Sequence, residues 1–224
     1  GVTKLVDLLD SSVSDDVHAH VAAAIAALCT GNLNNQNKIA SAHGIEPLVA
    51  ILESDASATA KEETAHALWA LTTNNFQNQV RIAEAGGIAP LVSVLGLGSV
   101  GQEIAGGALA ALALDNSSNE KAIAKLIVSL LGSEEQGESA TAARAIARLA
   151  RETAANQVAI ADAGGVSLLV KLLGTEVVVG QDKVLAEIAA NLRKEMAAAI
   201  WSMAAKNPDN QASIATAGAI PILV

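Results

Sequence analysis

The chain of 224 residues carries 14 Lys and Arg against 23 Asp and Glu, a formal net charge of −9. An acidic chain with no basic stripe argues against duplex DNA or RNA as a partner, because that recognition rests on neutralising phosphates. Apolar residues make up 51% and aromatic ones 1%, so the core must be built from Ala, Leu, Ile and Val, a composition that favours closely stacked helices.

Cys29 is the single cysteine. It permits no intrachain disulfide and fits a reducing compartment, with a cytoplasmic setting expected and a nuclear or organellar one as the alternative. Its place in A-A-I-A-A-L-C-T predicts a buried, unreactive thiol. No uninterrupted apolar run approaches the roughly 18–20 residues that span a bilayer, and nothing resembles a signal peptide. No direct membrane insertion is expected.

Along the chain one phrase returns five times. It reads N-Q-N-K-I-A-S-A-H-G-I-E-P-L-V from Asn35 and N-Q-V-R-I-A-E-A-G-G-I-A-P-L-V from Asn78. It shortens to N-E-K-A-I-A at Asn119, then returns as N-Q-V-A-I-A-D-A-G-G-V-S-L-L-V at Asn156 and N-Q-A-S-I-A-T-A-G-A-I-P-I-L-V at Asn210. The starts are 43, 41, 37 and 54 residues apart. A period near 40 predicts stacked helical units, each burying its apolar face only against its neighbours.

Each unit reads as three helices. The repeated Asn (35, 78, 119, 156, 210) is predicted to cap the first, with the Ile four residues on (39, 82, 123, 160, 214) facing inward. The chain then breaks at Gly44, Gly86-Gly87, Gly164-Gly165 or Gly218, where Gly supplies a positive φ. A second helix follows, opened in three units by Pro47, Pro90 or Pro221. The third helix aligns on the anchors Ala26, Trp69, Ala110, Ala147 and Trp201.

Around these anchors run core columns at helical spacing. They are Ile25, Leu68, Leu109, Ile146 and Ile200; Leu28, Leu71, Leu112, Leu149 and Met203; and Ala22, Ala65, Gly106, Ala143 and Ala197. Asn32, Asn75, Asn116 and Asn207, six past the anchor, are predicted to terminate the third helix in the left-handed region.

Two units are irregular. Near 119–131 the A-G-G-I turn is missing, which predicts fused or tightly turned first and second helices. Near 176–193 roughly a dozen residues are inserted. They read as an apolar loop at Val177 to Val179 before a longer third helix starting near Asp182, or as a docking element. The chain opens on G-V-T-K-L-V-D-L-L and closes on A-I-P-I-L-V, both second helices with apolar faces. Residues 1–224 are therefore expected to form a single array, as a segment of a longer protein.

These motifs, N-x-x-x-I-x-x-A-G-x-I-x-x-L-V and A-L-W-A-L, resemble armadillo repeats over essentially the whole chain. The resemblance implies an all-α, right-handed α-solenoid superhelix of about five repeats, three helices each. It also implies a concave groove on the third helices that holds an extended peptide or a partner's helix. The chain looks closer to vacuolar-scaffold and plant ubiquitin-ligase armadillo proteins, though it has neither a U-box nor a lipidation motif.

The groove so implied carries Glu62, His66, Trp69 and Thr73 in one repeat and Glu103, Gly107, Ala110 and Leu114 in the next. It continues with Ala140, Arg144, Ala147 and Arg151, then Lys194, Ala198, Trp201 and Ala205. Its charge shifts from acidic to basic along the chain, which would orient an extended partner. The two Trp read equally as binding hot spots and as packing between neighbouring third helices. Importin-type adaptors pair the Trp with an Asn one turn later; Thr73 and Ala205 stand there, so a Trp–Asn ladder is not expected.

Motifs for chemistry are thin. Gly96-Leu97-Gly98-Ser99-Val100-Gly101 matches G-x-G-x-x-G, but follows a helix rather than a strand and reads as an inter-helix loop. His18, His20 and His43 form no metal-ligand spacing, and no nucleophile–base–orienter set stands out. The pairs Asp15-Asp16, Glu62-Glu63 and Glu134-Glu135 fall at or near predicted helix starts. No cofactor or metal is expected. The leading expectation is a non-enzymatic protein-binding scaffold or adaptor; the substrate-recognition region of a larger ubiquitin ligase and a structural subunit of a large assembly stand beside it.

Overall fold

A computed structural model describes residues 1–9, 14–175 and 183–223. Its secondary structure is helical throughout, with no strand among the described residues. The chain divides into two compact units, residues 1–120 and 121–224.

The first unit opens with α1 (Val2–Asp7), α2 (Asp15–Cys29), α3 (Leu33–Ser41) and α4 (Ile45–Glu53). It continues with α5 (Ala58–Thr72), α6 (Phe76–Glu84), α7 (Ile88–Val94) and α8 (Ser99–Ala113). The long helices α2, α5 and α8 stack in order, with α5 packed on both of the others. Small side chains allow that approach: Ala22 and Ala65 are fully buried, and Ile25, Leu68 and Leu109 fill the layer beside them. Leu28 departs from its column. It is 46% exposed, whereas Leu71 and Leu112 are buried, and α2 packs against one long helix where α5 packs against two.

The helix α9 (Ser117–Leu131) is a single 15-residue helix where other repeats place two short ones. Beyond it come α10 (Gln136–Glu152), α11 (Ala154–Asp162) and α12 (Gly165–Leu173), then α13 (Lys183–Ala204), α14 (Pro208–Thr216) and α15 (Ile220–Leu223). In this unit α10 packs along α13, and α11 meets α12 at a bend of 75°. With 22 residues, α13 exceeds the 15 of α2, α5 and α8. The apolar loop at Val177 to Val179 and the helix start near Asp182 lie outside the described residues.

The capping assignment needs correction. The repeated Asn is not the cap but the third residue of its helix. Its backbone N–H donates to the side chain three residues earlier, Asn32, Asn75, Asn116, Thr153 or Asn207, at 3.0–3.2 Å. Asn32, Asn75 and Asn207 have φ of −128, −133 and −128, outside the left-handed region. The left-handed residue is the one before: Gly31, Asn74, Asp115 and Lys206, at φ 55 to 65.

The repeated Asn itself turns inward. Its Nδ2 donates to the carbonyl seven residues back, Leu28, Leu71, Leu112, Leu149 or Met203, at 2.8–3.1 Å. This ties the first helix to the end of the third, satisfying carbonyls that a helix end leaves unpaired.

The glycine breaks divide their work differently from expectation. Gly86, Gly164 and Gly218 take the positive φ, but in the first repeat His43 takes it (φ 58) and Gly44 does not. At Gly44, Gly87 and Gly165 the constraint is space. A Cβ there would fall 2.7–2.8 Å from Cγ2 of Ile39, Ile82 or Ile160.

Cys29 is fully buried, and burial pushes its thiol from 9.0 up to about 11. A raised pKa means the folded state holds its proton where the unfolded state has lost it. Stability is then complete below about pH 9 and falls as pH rises from about 9 through about 11. Urea unfolding at pH 8 and pH 10.5 is expected to show about 2 kcal/mol more loss in the natural chain than in Cys29→Ala. Equal losses in the two would show that the thiol is not desolvated.

Candidate functional site

In the first unit the long-helix face forms a cleft beside Trp69. The indole is seated on α8 at Gly107, where an added Cβ would come within 2.6–2.7 Å of three ring atoms. Only glycine lets the ring lie so close. On its open side is a cleft of about 290 Å³ lined by Thr30, Gly31, His66, Trp69, Ala70 and Thr73. Across from the ring the lining is Thr30 and Gly31, the two residues that follow α2, so small side chains leave that space.

The hydroxyls of the cleft are already engaged. Thr30 Oγ1 donates to the Ala26 carbonyl at 2.8 Å, and Thr73 Oγ1 to the Trp69 carbonyl at 2.9 Å. The His66 ring is tilted 55° to the indole with centroids 6.2 Å apart, and its Nδ1 lies 3.9 Å from Glu63 Oε2. The structure thus brings together His66, Trp69 and Thr73 of the sequence-predicted set. It adds Thr30 and Gly31, which the third-helix alignment reaches at four and five residues past Ala26.

Glu62 and Glu103 stand outside the cleft lining. Glu62 Oε1 lies 3.4 Å from the Cβ position of Gly101, in the first turn of α8, where the helix N-terminus favours negative charge. Glu62 and Glu63 are therefore in the second turn of α5, away from its start. Glu103 is exposed on α8. The charge is unevenly divided: residues 1–120 hold 4 Lys and Arg against 13 Asp and Glu, residues 121–224 hold 10 of each.

In the second unit, the predicted cations are partly tied down. Arg144 Nη1 lies 4.0 Å from Glu195 Oε1 across the α10–α13 interface, and its Nη2 donates to Thr141 Oγ1 at 3.3 Å. Arg151 Nε donates to the Ala147 carbonyl at 2.9 Å, and Arg148 pairs with Glu152. Lys194 is exposed, and Trp201 is 65% exposed on α13. The two Trp thus differ: Trp69 is half-buried against a neighbouring helix, whereas Trp201 stands in solvent.

The largest feature missed in the sequence is a glutamine ladder. Gln36 Nε2 donates to the carbonyls of Cys29, Ala70 and Thr73 at 3.3, 2.8 and 3.2 Å, and its Oε1 accepts from Asn75 Nδ2 at 3.0 Å. Gln79 does the same to Ala111, Leu114 and Asn116, and Gln157 to Ala150, Ser202, Ala205 and Asn207. The signal was the Gln following Asn in four of the five phrases. These bonds fix the end of each long helix, and with it Thr73 at the edge of the cleft.

The G-x-G-x-x-G segment runs from the end of α7 into the first turn of α8, between helices. Among the described residues no group of three or more His, Cys, Asp or Glu is placed to hold a metal ion, and no single helix is long and apolar enough to cross a membrane.

No family model matches the chain, and no curated protein matches it. Solved structures do. An engineered protein from the Northeast Structural Genomics Consortium is 31% identical, with a TM-score of 0.61, covering 99% of this chain and 87% of its own. A designed armadillo repeat protein is 23% identical, with a TM-score of 0.60 and coverage of 100% and 90%. Another, in complex with the peptide (KR)4, is 24% identical, with a TM-score of 0.59 and coverage of 99% and 90%. The fold is an all-α repeat solenoid. More narrowly, it is a solenoid fold of the armadillo kind.

Proposed function

We propose that this chain is a non-enzymatic scaffold that binds an extended segment of a partner protein along its long-helix faces. The Trp69 cleft anchors that segment in residues 1–120. The cleft carries the reading: about 290 Å³ of space suits one side chain, with an indole and an imidazole as walls. The excess of 9 negative charges in the first unit favours basic residues in the bound segment. A designed armadillo neighbour in complex with (KR)4 supports the same chemistry.

The test is a selection from a random peptide library, followed by affinity measurements on Trp69→Ala. Enriched peptides are expected to be basic and to lose affinity on the order of 10- to 100-fold in the variant, with circular dichroism unchanged. Peptides that bind Trp69→Ala as tightly as the natural chain would remove the cleft from the reading. A library that enriches nothing would remove peptide binding itself.

A further inference from the structure

Next along the chain from the cleft residues is a rim of two exposed hydrophobes that the reading above does not use. Leu33 and Phe76 are the first residues of α3 and α6, 55% and 58% exposed, and these two helices pack together. Each follows closely on cleft residues: Leu33 on Thr30 and Gly31, Phe76 on Thr73. In the other three repeats the same position holds Ser117, Ala154 and Pro208. Large apolar side chains thus stand there only in the two repeats that build the cleft.

The adjoining sequence is rich in uncharged amides and ends at the exposed cations Lys38 and Arg81. Residues 30–37 and 72–80 contain no charged side chain, in a unit that is otherwise strongly acidic. Asn35, Asn37 and Asn75 are engaged within the fold. The exposed amides of Asn34, Asn74 and Gln77 make no hydrogen bond with any described residue. The positions of Asn34 and Gln77 hold Ser118, Ala155 and Asp209 elsewhere, and that of Asn74 holds Gly31, Asp115, Glu152 and Lys206. Two exposed hydrophobes ringed by free amides are the pairing an extended peptide uses, apolar side chain against apolar surface and backbone against amides.

We propose that this rim is a second contact for the segment held by the Trp69 cleft, taking an uncharged stretch with one apolar side chain laid on Leu33 and Phe76. Asn34, Asn74 and Gln77 take its backbone. The proposal rests on the cleft reading and adds to it a requirement about sequence: an apolar residue beyond the basic stretch.

The probe is (KR)4 extended at either end by Gly-Leu-Gly or by Gly-Gly-Gly, with binding read by fluorescence anisotropy. The leucine extension at one end is expected to tighten binding roughly fivefold in the natural chain. That gain should vanish in Leu33→Ser with Phe76→Ser, while the glycine-extended peptide binds the variant unchanged. Trp69→Ala should weaken both peptides together. No gain from leucine at either end, or a gain that survives the double substitution, would overturn the rim and leave the cleft standing. Failure of every peptide to bind would sink both. Sedimentation of natural chain and double variant completes the test, since a dimer lost on substitution would make the rim a contact between copies.

Discussion

Gln36→Leu is expected to lower the free energy of unfolding by about 2–4 kcal/mol, read by urea denaturation. Leucine fills nearly the same volume, so little of the cost is a cavity. The loss comes from the carbonyls of Cys29, Ala70 and Thr73, which share one amide at 2.8–3.3 Å, and from the Asn75 amide that gives to its oxygen. Gln36 is 2% exposed, so water cannot take over these partners. Asn75→Ala should cost about 1–2 kcal/mol, and the pair less than the sum, because both remove the same 3.0 Å bond.

Gln211 provides the internal contrast. It holds the same place in its phrase but is exposed, and among the described residues its side chain bonds only the Ala204 carbonyl, at 2.9 Å. Gln211→Leu should therefore stay within about 0.5 kcal/mol of the natural chain. Equal effects at 36 and 211 would show that the ladder adds nothing beyond local structure.

The second large effect is expected from Gly107→Ala. A Cβ at this position would sit 2.6–2.7 Å from Cε2, Cζ2 and Cη2 of Trp69, well inside van der Waals contact. The backbone of α8 is held by its own helix, so the indole must swing away, and its open side is the cleft. Overpacking of this kind costs about 1–3 kcal/mol. Peptide affinity should fall on the order of 10-fold, and in a Trp201→Phe background the Trp69 emission should move to longer wavelength. Gly137→Ala is the control, because nothing lies within 4 Å of its Cβ position. An unchanged spectrum and affinity in Gly107→Ala would mean that the ring is not fixed where the cleft requires it.

Much of this architecture was legible from the chain. The five phrases gave the helices, and the columns through Ile25, Leu68, Leu109, Ile146 and Ile200 proved fully or almost fully buried. The resemblance to armadillo repeats holds at the level of the fold. The cap was misplaced because N-x-x-N at the start of a helix offers two asparagines, and letters alone do not say which has helical φ. The ladder was passed over because all but two of its bonds join residues 32 to 50 apart, and a glutamine in a polar phrase looks like any solvated one.

The candidate site divides in the same way. The third-helix spacing placed His66, Trp69 and Thr73 on one face, because residues three and four apart on a helix are neighbours. What surrounds them came from other segments: Gly107 beneath the ring, Thr30 and Gly31 across the cleft. The cations show it too, since Arg144 looks free in the sequence and finds Glu195 only when α10 packs on α13. By itself the sequence determined the repeat, the helices and the apolar faces, because these follow from periodicity and propensity within some forty residues. Tertiary structure alone decided which polar groups are satisfied, which charges are paired and where a cleft opens, because each depends on side chains that neighbouring repeats bring within a few ångströms.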